Sequence, residues 1–262
     1  MRTALLADAG EIRGTIWQRR TQTNEVGRLA ALLPVLARVA AEEDQPLALV
    51  EAGASAGLCL YPDRYAYRWT TDQGDVTLPL AGAPELTCRV RGPAPLPVAH
   101  PEVAWRGGVD LNPLDVTDPD DTAWLVNLVW PEEESRRRRL RAAFAVASAE
   151  PPHVRRGDLL EALPRLVEEA AAYGVPVVLH SAVIAYLEPD ERRRYARLVS
   201  GLVEEGACRW ISNEGPQVLW EVRSPGLGEP PGPAQFVVGL DGRALAWAHG
   251  HGTNLTWLEG PG

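Results

Sequence analysis

The sequence is poor in cysteine, has no excess of basic residues and contains no long uncharged apolar segment. Its three cysteines, Cys59, Cys88 and Cys208, have no C-x-x-C spacing. The sequence therefore predicts neither a disulfide framework nor a zinc knuckle, and it favours a reducing cytoplasm. A net charge of -9 argues against a nucleic-acid backbone or an anionic membrane as the main partner. We expect a cytoplasmic protein that acts on small molecules, and the sequence indicates no oligomeric state.

Signals for export or membrane insertion are also missing. The first residues show no basic stretch followed by an apolar one, and no uncharged apolar run approaches the ~20 residues that cross a bilayer. With 262 residues and 45% hydrophobic content, the chain can bury the core of one α/β domain. Residues 1–46 predict an N-terminal helical cap, with helical patterns at 3–20 and 25–41. Asn24 is expected to cap the second of these helices, and the alternative is a cap that also lines the ligand site.

The segment 47–58 organises the predicted fold. Residues 47–50 form a short apolar run after Pro46 and predict a buried parallel strand that ends in Glu51. Gly53 and Gly57 permit a tight turn, and the small residues between them are expected to leave backbone amides open at the start of a helix. Such a turn is a place for a ligand.

Three interpretations of this loop are open. It is a nucleotide-type cradle with Glu51 as a hydrogen-bond acceptor, or the G-x-S-x-G nucleophile elbow of an α/β-hydrolase with Ser55 as nucleophile, or a turn whose glycines serve packing alone. The five-residue pattern does not decide. Its position favours the cradle, because a hydrolase elbow normally follows several strands and this strand is the first one predicted.

The rest of the chain predicts a β-rich insertion within an alternating α/β pattern. Residues 65–105 are aromatic, rich in proline and glycine and locally alternating, which indicates hairpins. Residues 136–139 are four arginines and are interpreted as a solvated helix face. The alternation predicts a mostly parallel sheet that binds ligands beyond the carboxyl ends of its strands. The predicted elements are a strand ending at Asp110, helices at 118–130 and 132–149, strands at 153–156, 175–180 and 208–212, helices at 159–173 and 190–205, and an edge hairpin of 235–240 and 244–257.

Three histidines are candidates for a functional role. His249 and His251 suggest a metal pair, but a strong site needs three or four ligands, so no metal site is predicted. His180 ends a buried predicted strand, where an acceptor substrate would lie. The alternative for His180 is a hydrogen-bonded histidine of the core.

The strand ends together resemble the class I S-adenosylmethionine-dependent methyltransferase fold. The resemblance rests on Glu51 with its glycine loop, Asp110 after the second core strand, Gly157-Asp158 after the third, 177–181 as the fourth and the closing hairpin. It implies a Rossmann-like methyltransferase topology over residues 47–262. More narrowly, the segments 22–28, 51–58 and 108–116 and Trp130-Pro131 are similar to an uncharacterised bacterial family of unknown function.

The resemblance implies a set of cofactor contacts. Glu51 would accept a hydrogen bond from the methionine ammonium, Asp110 from the ribose hydroxyls and Asp158 from the adenine amino group, since carboxylates suit a cationic, hydroxyl-rich ligand. Asp110 lies much further from Glu51 than the roughly 20 residues usual for a ribose acid, and the insertion explains the difference. The expected S-adenosylmethionine contacts are Glu51, Gly53, Ser55, Gly57, Asp110, Asn112 and Asp158.

On the acceptor side, the residues after the fourth strand are expected to face the transferred methyl group. His180 is the predicted general base, with Ser181 and Tyr186 shaping the pocket. The sequence thus predicts a methyltransferase for a small acceptor. The alternatives are a serine hydrolase that uses Ser55 with His249 or His251, and a non-catalytic protein that binds a nucleoside-like ligand.

Overall fold

A computed structural model describes residues 7–8, 10–219, 221–222 and 227–258 of the chain. Within these ranges the helices are α1 (Glu11–Gln18), α2 (Leu29–Glu42), α3 (Pro119–Asn127), α4 (Glu134–Ala149), α5 (Leu159–Ala170) and α6 (Pro189–Glu204). The strands are β1 (Leu47–Ala52), β2 (Ala66–Thr71), β3 (Gly74–Leu78), β4 (Glu85–Arg91), β5 (Val103–Asp110), β6 (His153–Arg156), β7 (Val175–Ser181), β8 (Arg209–Glu214), β9 (Gln235–Leu240), β10 (Arg243–His249) and β11 (Asn254–Trp257).

The strands form one 11-stranded mixed sheet in the order β3-β2-β4-β11-β10-β9-β8-β7-β1-β5-β6. The run β6-β5-β1-β7-β8 is parallel throughout, which confirms the predicted α/β class with a mostly parallel sheet. Numbered along the chain, these five strands lie in the order 3-2-1-4-5, as at the centre of doubly wound sheets. The direction of winding therefore reverses between β1 and β7.

Helices cover both faces of this parallel run. In β1 all six residues are buried, as is typical of a strand covered on both sides. Alternate residues serve the two faces: Leu47 and Leu49 belong to the core that includes α2 and α4, and Ala48 and Val50 to the core that includes α5 and α6. Two-sided packing fixes β1, and with it the loop that follows.

The insertion 65–105 continues the sheet. It contributes β2, β3 and β4, and β4 pairs in parallel with β11. The predicted edge position of the C-terminal hairpin is therefore wrong, because β11, β4, β2 and β3 lie beyond β9 and β10. Buried Trp69 ties the insertion to the helical layer by donating from Nε1 to the carbonyl of Ala30 at 2.7 Å.

Other local expectations need correction. Asn24 does not cap the next helix, since the Glu25 side chain accepts from Gly27 N at 3.0 Å. Asn24 Nδ2 instead donates to the carbonyl of Ala54 at 2.9 Å, which fastens the N-terminal segment to the glycine loop. Two short 3-10 turns, Leu58–Leu60 and Pro62–Arg64, replace the helix expected after that loop. Part of the predicted helix 3–20 lies outside the described residues.

The arginine run of α4 is not simply a solvated face. Arg136 Nε lies 2.6 Å from Oε2 of buried Glu25, and Arg139 Nη2 lies 3.0 Å from its Oε1. Burial raises the pKa of Glu25, but Arg139, Arg136 and the Gly27 amide more than offset it and hold that pKa below its usual value. The two arginines thus fix the start of α2 against α4. No helix in the described part of the chain is long and apolar enough to cross a bilayer.

Candidate functional site

A cleft of about 860 Å³ lies at the carboxyl ends of the parallel strands. The segments that follow β1, β5, β6 and β7 line it, so it lies where the winding reverses and where doubly wound sheets bind their ligands. Its size suits a small organic molecule. Residues 18 and 20–23 and residues 249–251 complete the wall. Among the sequence-predicted residues, the lining includes Gly53, Ser55, Asp110, Asn112, Asp158, Ser181 and Tyr186.

Four backbone amides of the glycine loop bond within the protein. Gly53 N and Ala54 N both donate to the carbonyl of Val109, at 2.8 and 3.1 Å. Ser55 N donates to Asp110 Oδ2 at 2.8 Å, and Gly57 N donates to the carbonyl of Ala54 at 2.7 Å. The expectation of open amides at a helix start is therefore wrong, since the end of β5 occupies three of them.

Close packing explains the two glycines. Gly53 has φ +73°, and an added Cβ would overlap the side chain of Val183. Gly57 has φ +68°, and a Cβ there would lie 2.7 Å from Pro152 Cγ. Gly57 is absent from the cleft lining. Both positions need glycine for backbone conformation and for protein neighbours.

Asp110 organises the floor of the cleft. Its Oδ1 accepts from Asn112 N at 2.7 Å and from Gln22 Nε2 at 3.3 Å, and its Oδ2 accepts from Ser55 N. One carboxylate thus joins β5, the glycine loop and the N-terminal segment. A carboxylate offers about four lone-pair sites, so room for one ligand donor remains on Oδ2.

Asp158 is more open. It caps α5 by accepting from Leu160 N at 2.7 Å through Oδ1, and its exposed side chain lines the cleft. Its Oδ2 has no hydrogen-bond partner among the described residues. Asp158 can therefore accept from a ligand without giving up the helix cap.

Glu51 lies behind the loop. It is only 5% exposed, does not line the cleft, and has an enclosed, unpartnered Oε2. Burial raises the pKa of Glu51 well above its usual value; Arg28 opposes the shift and Asp110 adds to it. The structure therefore does not bring Glu51 together with the other predicted cofactor contacts, and burial favours its neutral form.

Ser55 does not have the surroundings of an activated nucleophile. Its φ of 51° is a strained backbone conformation, but its Oγ is enclosed and makes no hydrogen bond. Nucleophilic serines are activated by a base within hydrogen-bond reach. Among the described residues, no histidine makes that contact.

His180 belongs to the core and not to the cleft. It is fully buried and absent from the lining. Its Nε2 accepts from Trp210 Nε1 at 3.0 Å, and its Nδ1 lies 2.8 Å from Glu214 Oε1. Because an indole nitrogen only donates, Nε2 carries no proton and Nδ1 donates to Glu214. The lone pair that a general base needs is already engaged, so the predicted base role does not match this geometry.

The strand register explains how His180 is held. His180 lies opposite Ser212 on β8, so Trp210 and Glu214, two positions to either side, share its face of the sheet. Glu214 Oε1 also accepts from Val183 N at 3.0 Å and Ile184 N at 3.1 Å. His180 and Glu214 therefore fix the loop after β7, which does line the cleft.

Several lining residues were not predicted. Gln22 Oε1 and Asn24 Oδ1 are enclosed without a partner, and Gln22 lines the cleft. Arg28 is 6% exposed; its Nε donates to the carbonyl of Gly250 at 2.8 Å and its Nη1 to that of Ser181 at 3.0 Å. The polar run 21–25 was the available signal: it favoured a helix cap, and a cap that also lines the ligand site was the alternative.

The two histidines near the C-terminus line the cleft with their rings 5.3 Å apart. His251 N lies 3.2 Å from His249 Nδ1. Among the described residues no group of three histidine, cysteine or acidic side chains could hold a metal ion.

Comparison with known proteins identifies a family. The model of DUF2332, described as an uncharacterized protein conserved in bacteria, matches residues 1–257. No curated protein and no solved structure gave a significant match.

Proposed function

The chain belongs to this bacterial DUF2332 family, and we propose from the geometry of its cleft that it is a methyltransferase. In this proposal it binds S-adenosylmethionine and transfers the methyl group to a small acceptor. The observation that carries the proposal is the position of the cleft, at the reversal of a parallel sheet with Asp110 and Asp158 in its wall. Ligands of such sheets bind at this place.

The residues fit one half of the cofactor better than the other. Asp158 and the free lone pair of Asp110 suit donors such as an adenine amino group and ribose hydroxyls. The predicted contacts to the methionine end fit less well, because Glu51 does not line the cleft and β5 occupies three of the loop amides. In the proposal, Gln22 and Ser55 replace them, since each lines the cleft and carries an enclosed, unpartnered oxygen.

The chain's own groups would then bind and orient the two reactants. The bound cofactor supplies an electrophilic methyl group. Ser181 and Tyr186, which also line the cleft, are proposed to shape the acceptor pocket. Ser181 Oγ accepts from Asn213 Nδ2 at 2.8 Å. This bond orients the hydroxyl so that its own proton points away from Asn213. Tyr186 is 80% exposed and is free to pack on an incoming acceptor.

Calorimetry and thermal shift with S-adenosylmethionine and S-adenosylhomocysteine test the proposal. Wild-type protein should be stabilised, by about 2.7 kcal/mol at a ligand concentration 100 times the dissociation constant. Asp158→Asn keeps an N-cap side chain but loses the charge. Because a hydrogen bond to a charged group contributes about 1.5–3 kcal/mol, this change should weaken binding by roughly 10- to 100-fold.

A matched control is present in the chain. Asp118 caps α3 by accepting from Asp120 N at 2.8 Å and does not line the cleft. Asp118→Asn should change thermal stability as little as Asp158→Asn does and leave ligand affinity unchanged. Absence of binding by folded wild-type protein at millimolar ligand would overturn the cofactor assignment. Binding without methyl transfer to any acceptor would favour a non-catalytic ligand-binding protein, and labelling of Ser55 by a fluorophosphonate probe would favour the hydrolase.

A further inference from the structure

We infer that Arg28, together with His249 and His251, forms a subsite for an oxyanion of a small ligand, either a carboxylate or a phosphate-type group. All three residues line the same cleft. The inference goes beyond methyl transfer, because it concerns the chemistry of this end of the cleft whichever reaction the cleft supports.

Two arginines of the described residues are buried, Arg28 and Arg106. Arg106 lies 2.7 Å from Asp63, and the partly buried Arg136 lies 2.6 Å from Glu25. A buried charge normally requires such a partner. Arg28 is 6% exposed, yet no carboxylate of the described residues lies within ion-pair distance of it. A bound anion would supply the missing charge.

The guanidinium of Arg28 is already oriented. Its bonds to the carbonyls of Gly250 and Ser181 hold it between the ends of β10 and β7, which are separate strands of the sheet. A guanidinium has five N–H donors, and these carbonyls take two of them. Nη2 has no partner in the described part of the chain. A fixed guanidinium edge with free donors is the geometry that binds an oxyanion.

The surrounding charges are mostly positive. Burial lowers the pKa of His251; Arg136, His249 and Arg28 lower it further, and Glu25 opposes them. Burial is the largest cause, and Arg136 is paired with Glu25, so Arg28 is the arginine among these groups that lacks an ion pair within the described residues.

Neither nearby acid forms an ion pair with Arg28 among the described residues. Glu51 is held toward its neutral form by burial, and the carboxylate of Asp110 contacts Ser55, Asn112 and Gln22 instead. Arg20 and Arg156 also line the cleft without an ion pair among the described residues. On a chain of net charge -9, this is a local site for a negative group.

Proton NMR of the histidine rings tests the subsite on the full chain without any cofactor. Sulfate is titrated while chloride keeps the ionic strength constant, and acetate is titrated in the same way in a second series. Sulfate or acetate bound beside the imidazole should raise the pKa of His251 by about one unit and shift its signal saturably. The signals of His100 and His153, which lie outside the cleft, should stay in place.

The variants assign the effect to Arg28. Arg28→Gln should abolish the saturable shift in a protein whose other histidine signals show that it is folded. If Arg28→Gln does not fold, Arg28→Lys is used, which keeps the charge but loses the planar guanidinium. Arg28→Lys should weaken anion binding at least several-fold. Saturation by sulfate alone indicates a phosphate-type ligand, and saturation by acetate alone a carboxylate. Absence of both, equal shifts at His153, or an unchanged affinity in the Arg28 variant would overturn the inference. Because no cofactor is present, failure of S-adenosylmethionine binding leaves this result unaffected.

Discussion

Replacing His180 with alanine is expected to destabilise the fold and to leave the chemistry of the cleft intact. The change removes the acceptor of the Trp210 indole N–H and the donor to Glu214. An unsatisfied buried donor costs about 1–3 kcal/mol, and a hydrogen bond to a charged group contributes about 1.5–3 kcal/mol. The expected loss is therefore about 2.5–6 kcal/mol of unfolding free energy, from a typical total of about 5–15 kcal/mol.

Urea unfolding followed by tryptophan fluorescence measures this loss, and the matched control is His153→Ala. His153 is exposed, and its ring stacks on that of Trp105, so its loss should cost under about 1 kcal/mol. Ligand affinity and turnover per folded molecule are then measured below the unfolding transition. Our interpretation of His180 is refuted if His180→Ala keeps wild-type stability and loses turnover by a factor of roughly 10² or more, which is the result expected of a general base.

Two further predictions concern the contacts that hold the cleft. Glu25→Gln should lower the unfolding free energy by about 3 kcal/mol at pH 7, because two arginines lose their buried partner, whereas Glu134→Gln, which removes exposed contacts of the same helix, should cost under about 1 kcal/mol. The pKa of Glu25 is lowered from 4.5, so the stability that Glu25 contributes is complete above that pH and is lost as the pH falls through the folded-state pKa. In urea unfolding between pH 7 and pH 3, the unfolding free energies of wild-type protein and Glu25→Gln should converge. A constant difference between them would contradict the assignment. Gly53→Ala should cost about 1–3 kcal/mol more than Gly82→Ala, since both glycines have similar positive φ but only a Cβ at Gly53 meets another side chain; equal costs in urea unfolding would show that Val183 yields without strain.

Local sequence patterns predicted the positions of the parallel strands well. The apolar run before Glu51 and the acid Asp110 each marked the end of a core strand, because a strand covered on both faces leaves a local apolar signature. Asp158 follows the edge strand β6, whose residues are mostly exposed. The parallel topology then brings those strand ends together at one edge of the sheet. Five predicted cofactor contacts, from Gly53 to Asp158, therefore line one cleft.

Contacts between distant segments were not predictable in the same way. The loop amides are taken by Val109 and Asp110, and nothing in the pattern G-x-S-x-G reports the register of β1 against β5. His180 looked equally suited to a substrate or to a core partner, because periodicity shows that a strand is buried but not which residues of β8 flank it. Arg28 was overlooked for a related reason: its isolation from any carboxylate is visible only once the chain is folded.

The pairing of β4 with β11 has a consequence for how the chain is assembled. Arg89 lies opposite Asn254, so β4, from the first half of the chain, can form this pairing only after β11 has been synthesised. During synthesis, the edge of β4 that will meet β11 has no partner until β11 has left the ribosome. Pairings between such distant residues are slow to form, and an unpaired strand edge can recruit another chain. β11 thus joins the strands β3, β2 and β4 to the rest of the sheet. The exposed edge of β4 is protected only once β11 has paired with it.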